Sequence, residues 1–235
     1  MSQSMFERVG GTPALQELFT RFYAKVLADP IAAPYFKGFD MNDIKGLQIE
    51  FWSNFLGSGV PYTGRDMYES HKTLGCSGAS FDVVANSLAS TLKELNVPED
   101  IYEAIMNHAA SFRKDIVAPT MFERVGGTAA LTELFTRFYA KVLTNPAASP
   151  FFNGFDMAQI KNLQIEFWSN FLGSGTAYTG RNMLDSHKGL NCTEASFDVV
   201  ATALSDTLKE LNVPEDIYNH IMTHAASFRG DIVGQ

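Results

Sequence analysis

The second half of the chain repeats the first half, and this duplication limits the fold more than any other feature. Residues 5–11, with the sequence MFERVGG, recur letter for letter as residues 121–127. The alignment runs without a gap to residue 233, and about three quarters of the paired positions are identical. Two copies are too few for a solenoid, which needs at least about three repeats. We therefore expect one domain at residues 1–117, a short linker at residues 118–120 and a second domain at residues 121–235.

Charge and composition exclude several classes of protein. The formal net charge of −8 argues against a nucleic-acid partner, because phosphate binding requires clustered lysine and arginine. No stretch approaches the roughly 20 apolar residues that cross a bilayer, and the N-terminus lacks the pattern of a secretory signal, so we expect no membrane partner. Cys76 and Cys192 are the only cysteines and suggest neither a disulfide framework nor a metal-thiolate cluster. These features predict a soluble, cytoplasmic protein.

Each copy contains segments with apolar residues at helical spacing. In the first long segment, Thr12 is a candidate N-cap and Pro13 stands at the first helical position. Asp29 and Pro30 end that segment, and further amphipathic segments follow it. No segment shows the sustained alternation that is typical of a strand. The pattern predicts an all-α fold for each domain.

Four residues depart from the simple amphipathic pattern, at the same places in both copies. Tyr23 and Gln48 lie on apolar helix faces, and His71 lies one turn after Met67 on a short helix. Phe36 is an aromatic residue on a connection that is not expected to be helical. Each has an ordinary structural explanation: the histidine bonds a carbonyl, the tyrosine hydroxyl meets water, the glutamine bonds backbone. Together they describe an apolar cavity with an imidazole on one wall and two hydrogen-bond donors on another. Imidazole is a common proximal ligand of haem iron, so haem is a candidate cofactor.

These residues and the motifs around them resemble the group I truncated haemoglobins. The resemblance covers essentially all of each repeat. In the first copy it is carried by FERVGG at 6–11, Phe22-Tyr23, VLAD at 26–29, Phe36, Gln48, YTG at 62–64, Met67, His71, FD at 81–82, LKEL at 92–95 and VPE at 97–99.

The resemblance implies two tandem truncated-globin domains, each a two-over-two helical sandwich that holds one haem b. It assigns the iron ligand to His71 and His187. The same resemblance places the phenylalanine that packs on the haem at Phe36 and Phe152, and the donors that stabilise a bound gas at Tyr23, Gln48, Tyr139 and Gln164. The remaining pocket walls fall on Ile44, Leu47, Phe51, Tyr62 and Met67, with the copies Ile160, Leu163, Phe167, Tyr178 and Met183.

Two features of some relatives are not expected here. Residues 44–47 contain no histidine that would close the sixth coordination position of the iron. A covalent bond from the last helix to the haem is also not expected, because that place falls nearer Phe112 than His108. We expect His108 and His224 to lie on a polar helix face. His220 matches Ala104 in the first copy and therefore has no role common to both domains.

The resemblance implies reversible binding of O2, and of other diatomic gases such as NO and CO, at a five-coordinate ferrous haem in each domain. Hydrogen bonds from the tyrosine and the glutamine predict tight O2 binding and slow release. The alternative is an NO dioxygenase, which turns O2 and NO into nitrate and requires an external reductase. We assign no catalytic residue, so the sequence leaves an enzymatic activity open. A third interpretation, a helical interaction module without haem, predicts a colourless protein.

Overall fold

A computed structural model describes residues 3–235 of the chain. Within that range the secondary structure is helical, apart from one isolated bridge between Cys192 and Val233. The chain divides into two units, Met1–Ala118 and Pro119–Gln235. The prediction of an all-α protein built from two tandem domains is confirmed.

Within residues 3–118, the first unit contains seven α-helices and one short 3-10 helix. The helices are α1 (Met5–Arg8), α2 (Gly11–Ala28), α3 (Met41–Phe55), α4 (Met67–His71), α5 (Gly78–Glu94), α6 (Glu99–Ser111) and α7 (Arg113–Ile116). The 3-10 turn, Ala33–Phe36, carries Phe36 in the connection between α2 and α3.

The second unit repeats this order. Its helices are α8 (Met121–Arg124), α9 (Gly127–Val142), α10 (Met157–Phe171), α11 (Met183–His187), α12 (Glu194–Glu210), α13 (Glu215–Ser227) and α14 (Arg229–Ile232), with a 3-10 turn at Ser149–Phe152. The main difference is that α9 ends two positions earlier than α2, where Thr144 and Asn145 replace Ala28 and Asp29.

Four helices of each unit form the core. In the first unit α2 packs against α3 and α5, and α5 packs against α6. The buried faces meet around Phe19, Val26, Leu92 and Ile101, all of which are almost fully removed from solvent. Burying one such side chain contributes about 1.5–3 kcal/mol, so the matched apolar faces of these helices are a main source of the stability of the sandwich.

The start of α2 differs from the sequence prediction. We predicted an N-cap at Thr12, but the helix begins at Gly11 and its N-cap is Gly10, which has a φ of 99°. A residue with a Cβ rarely adopts that left-handed conformation, so the glycine pair permits the turn between α1 and α2. Thr12 and Pro13 lie in the first turn of α2, where the missing N–H of proline does no harm.

Helix α4 has five residues and carries His71 at its end. A helix this short is unstable on its own. Two features hold it: the Asp66 carboxylate caps its start by accepting a hydrogen bond from the Glu69 N–H at 2.7 Å, and its residues pack against α7. The last short helix of the domain therefore fixes the position of His71.

Candidate functional site

Tyr23 is buried in the first domain, with 4% of its surface exposed. Its ring centroid lies 4.7 Å from that of Phe22 and 5.7 Å from that of Phe36, both in edge-to-face contact. Burial alone raises the pKa of Tyr23 well above the ordinary value for a phenol. No hydrogen bond contributes to that pKa shift, so the Tyr23 hydroxyl has no partner in the protein. Among residues 3–235, every fully enclosed side-chain polar atom has a partner, so this unpaired hydroxyl is not fully enclosed. The Tyr23 hydroxyl is therefore a protonated, unpaired donor at the edge of accessible space.

Gln48 lies on α3 and is held by the next turn of the same helix. Trp52 donates a hydrogen bond from its indole Nε1 to Gln48 Oε1 at 3.1 Å. Trp52 is itself 6% exposed and belongs to the core cluster that contains Tyr23. The oxygen of the Gln48 amide is thus occupied, and its NH2 group is available to another acceptor.

An apolar wall connects these two polar residues. Phe36, Ile44 and Phe51 are partly buried and pack against the core cluster of the first domain. Tyr62 extends this wall from the loop before α4, since its ring lies 5.3 Å from that of Phe51. Leu47, by contrast, remains 45% exposed, so the wall ends in an uncovered apolar edge on α3.

The loop between α3 and α4 is fastened so that Tyr62 faces the wall. The Tyr62 hydroxyl donates to the Arg65 carbonyl at 3.1 Å, and the Asn54 side chain donates to the Val60 carbonyl at 3.0 Å. Gly64 lies directly against the Tyr62 ring, and a Cβ at this position would overlap it. Only glycine allows the loop to close around the tyrosine in this way.

His71 is partly buried at the end of α4. Its Nδ1 lies 2.8 Å from the Met67 carbonyl oxygen. Because a carbonyl oxygen only accepts, Nδ1 must carry a proton, so in the neutral form of the imidazole the free lone pair is on Nε2. This is the tautomer that a metal-binding imidazole needs, with its second nitrogen oriented by a backbone acceptor.

The second domain repeats each of these contacts. The Tyr139 ring lies 5.8 Å from Phe152, Trp168 donates to Gln164 at 3.2 Å, and His187 Nδ1 lies 2.8 Å from the Met183 carbonyl oxygen. The predicted pocket-wall residues of this copy are Ile160, Leu163, Phe167, Tyr178 and Met183, of which Ile160 and Phe167 pack against the core of their domain. Leu163 is less exposed than Leu47.

The predicted residues fall into two groups. Tyr23, Phe36, Ile44 and Phe51 share one packed cluster, and Gln48 joins it through Trp52. Met67 and His71 lie on α4, outside that cluster. Sequence reasoning did not single out Trp52, although its spacing of four from Gln48 places both side chains on one helix face.

His108 and His224 correct a sequence expectation. We expected them on a polar helix face, but the His108 ring stacks on Phe55 at 3.9 Å and meets the edge of Phe112 at 4.8 Å. Burial lowers the pKa of His108, so the neutral imidazole is favoured in this aromatic environment. The signal was present in the sequence, because His108 follows the buried Ile105 by three residues and therefore shares its face.

Comparison with known proteins agrees with this geometry. The sequence profile of the bacterial-like globins matches residues 4–118 and again residues 120–233. The chain belongs to the bacterial-like globin family. Its two domains are truncated haemoglobins in tandem, and truncated haemoglobins are haem proteins.

Individual relatives match one half of the chain at a time. A group 1 truncated haemoglobin of Mycolicibacterium paratuberculosis is 36% identical over 113 residues, which cover 48% of this chain and 83% of that protein. One of Tetrahymena pyriformis is 36% identical over 119 residues, covering 49% of this chain and 95% of that protein. The Fe(III) crystal structure of a truncated haemoglobin from the latter organism gives a TM-score of 0.47 at 33% identity and covers 50% of this chain and 100% of its own.

The residues of this truncated haemoglobin fit a haem group. The site offers an imidazole with a free Nε2, two unpaired donors and an apolar wall with an exposed edge, the chemistry that haem and its gas ligands require. Over residues 3–235, no three His, Cys, Asp or Glu side chains are grouped as they would be to hold a metal ion directly. In the same range, no helix has the length and hydropathy of a membrane span.

Proposed function

We propose that the domains at residues 1–117 and 121–235 each bind one haem b and that the chain binds O2 reversibly at both. NO and CO are expected to bind at the same places. Ferrous haem supplies the ability to coordinate a diatomic gas. The observation that carries the proposal is the hydrogen bond from Nδ1 of His71, and of His187, to a backbone carbonyl one turn earlier.

His71 and His187 are the proposed iron ligands. The hydrogen bonds to the Met67 and Met183 carbonyls select the tautomer whose Nε2 lone pair is free and set the direction in which it points. Such a bond also makes the imidazole a stronger donor to a metal, which is the usual role of an outer hydrogen-bond acceptor. The caps of α4 and α11, Asp66 and Asn182, hold these short helices in place.

Tyr23 and Gln48, with Tyr139 and Gln164, are the proposed hydrogen-bond donors to the gas ligand. A phenol is protonated at neutral pH, and burial raises its pKa still further; the amide presents NH2 because its oxygen is bonded to tryptophan. Both groups favour a ligand that carries partial negative charge. Hydrogen bonds to charged groups contribute about 1.5–3 kcal/mol each, so O2 is expected to be held firmly and released slowly.

The apolar residues of the site are proposed to exclude water and hold the haem edges. Phe36, Ile44, Phe51, Tyr62 and Met67 form this set in the first domain, with Phe152, Ile160, Phe167, Tyr178 and Met183 in the second. Leu47 is 45% exposed, and contact with an apolar cofactor would cover it. Its copy Leu163 has the same proposed role.

The test is the visible spectrum of the purified chain, reduced under nitrogen and then exposed to air. The proposal predicts a five-coordinate ferrous spectrum that converts to a stable oxygenated one and returns when O2 is removed. A chain that remains colourless after haem is added, or whose reduced form is already six-coordinate, would contradict it. Addition of NO with an external reductase then tests for the dioxygenase, which predicts catalytic formation of nitrate.

A further inference from the structure

One contact beside the proposed gas-binding site is made in the same way in both domains, and it engages the oxygen of the glutamine amide. Trp52 donates its indole N–H to Gln48, and Trp168 donates to Gln164, at 3.1 and 3.2 Å. In each case the two residues are four positions apart on one helix. The contact thus links a core side chain to a side chain that faces the proposed gas ligand.

The chemistry of the two groups decides how the glutamine amide is oriented. An indole nitrogen is a donor only, whereas the two ends of an amide differ, one accepting and the other donating. The end that faces Trp52 must therefore be the carbonyl oxygen. The NH2 group of Gln48 is then turned away from the indole. This assignment follows from the donor character of the partner and holds in both copies.

The tryptophan is a rigid anchor. Trp52 is 6% exposed, and its ring meets those of Phe51, Phe55 and His108 edge-on at 5.5–5.7 Å. Trp168 is equally buried and has the matching neighbours Phe167, Phe171 and His224. Close-packed side chains of this kind cannot change rotamer without displacing their neighbours. The indole N–H is therefore held in one place, and it holds the amide with it.

We propose that Trp52 and Trp168 are positioning residues that keep the amide NH2 of Gln48 and Gln164 directed at the gas ligand. The inference rests on the proposed function, because it requires a ligand with partial negative charge beside the amide. Without the indole N–H, the amide is free to turn over and place its oxygen toward that ligand. The turned amide offers no donor and repels the ligand, so O2 is released faster.

The size of the effect follows from the loss of one oriented hydrogen bond. Because a freed amide still presents its NH2 group part of the time, only part of this hydrogen bond is lost, and the O2 dissociation rate should rise about two- to tenfold. Removing the glutamine side chain altogether should increase the rate at least as much. Removing both the indole N–H and the glutamine side chain should raise the O2 dissociation rate no more than removing the glutamine alone. The reason is that the tryptophan acts only through the glutamine.

The experiment uses the fact that the chain contains only two tryptophans, at positions 52 and 168. Supplying benzothienylalanine in place of tryptophan during expression replaces both indole N–H groups by sulfur and preserves the ring shape. The O2 dissociation rate is measured by rapid mixing with excess CO, in the parent sequence and in the Gln48→Leu, Gln164→Leu variant. Trp52→Phe with Trp168→Phe is a genetically encoded variant that also removes both indole N–H groups, with a smaller ring in their place.

The inference predicts faster O2 release in the parent background and no further change in the glutamine-free background. Equal acceleration in both backgrounds would mean that the tryptophan acts through packing alone, and an unchanged rate in the parent would mean that its N–H does not orient the amide. Either result would overturn the inference and leave O2 binding by the chain intact. A parent chain that binds no O2 would instead overturn the proposed function.

Discussion

Replacing Tyr23 and Tyr139 together by phenylalanine should accelerate O2 release from the chain by about ten- to a hundredfold. Each hydroxyl sits on a ring fixed by aromatic neighbours, with Phe22 and Phe36 at 4.7 and 5.7 Å from Tyr23. A phenol is neutral at physiological pH, and burial raises the pKa of both tyrosines further, so each remains a hydrogen-bond donor. The substitution removes that donor and leaves the ring in place.

The magnitude follows from the strength of one hydrogen bond to a partly charged acceptor. Such a bond contributes about 1.5–3 kcal/mol, and each 1.4 kcal/mol is a factor of about ten in a rate. The same substitution should leave the free energy of unfolding nearly unchanged or slightly raise it. The reason is that the hydroxyl has no hydrogen-bond partner in the folded domain, so its removal breaks no interaction that stabilises the fold.

The assay is stopped-flow mixing of the oxygenated protein with excess CO, with both domains altered so that every haem reports the change. The matched control is Tyr62→Phe with Tyr178→Phe, because those hydroxyls already donate to the carbonyls of Arg65 and Arg181 at 3.1 and 3.0 Å. The control should change the rate by less than about twofold, since its hydroxyl is not free for the ligand. A Tyr23→Phe, Tyr139→Phe chain that releases O2 at the parental rate would refute the assignment of these hydroxyls.

Two further predictions concern stability. Gly64→Ala with Gly180→Ala should lower the unfolding midpoint and weaken haem retention, because the new Cβ overlaps the Tyr62 and Tyr178 rings. Gly46 lies in α3 with open space around it, so Gly46→Ala should instead raise the free energy of unfolding by up to about 1 kcal/mol. An equal effect of the two changes on urea unfolding would disprove the steric argument. Burial lowers the pKa of His108 and, with a smaller effect from His220, that of His224. As pH falls, these histidines are protonated in the unfolded chain before they are protonated in the folded one. Their contribution to the free energy of unfolding is therefore present above about pH 6.5 and is lost as pH falls through the folded pKa. Urea unfolding between pH 5 and 8 should therefore show a smaller pH dependence for His108→Phe with His224→Phe than for the parent, and identical curves would contradict this.

The sequence predicted the helical architecture well because the apolar spacing of each long helix matches the face that it buries. Leu15, Phe19 and Val26 follow that spacing on α2, and all three are in the core. The start of α2 was missed because it depends on the left-handed conformation of Gly10, which residue type permits but does not require. Thr12 is a residue type that often caps helices, but it lies inside the first turn of α2.

The candidate site was predicted in part. Tyr23 and Gln48 were identifiable as polar residues on apolar faces. The hydrogen-bond partners of Gln48 and His71 could not be identified from the sequence. The bond from Trp52 to Gln48 and the bond from His71 to the Met67 carbonyl both depend on side-chain rotamers. His108 was wrongly expected on a polar face because its own polarity outweighed its spacing from Ile105. A histidine can lie among aromatic rings because burial favours its neutral form, and the His108 ring stacks on Phe55 here.

The most direct test of the central claim is the number of haems bound per chain in histidine variants. The parent should bind two, His71→Ala and His187→Ala should each bind one, and the double variant should bind none. His108→Phe is the matched control and should keep both, because its histidine belongs to the aromatic core instead of the iron site. A single variant that retains two haems, or a parent that binds fewer than two when haem is in excess, would contradict the account.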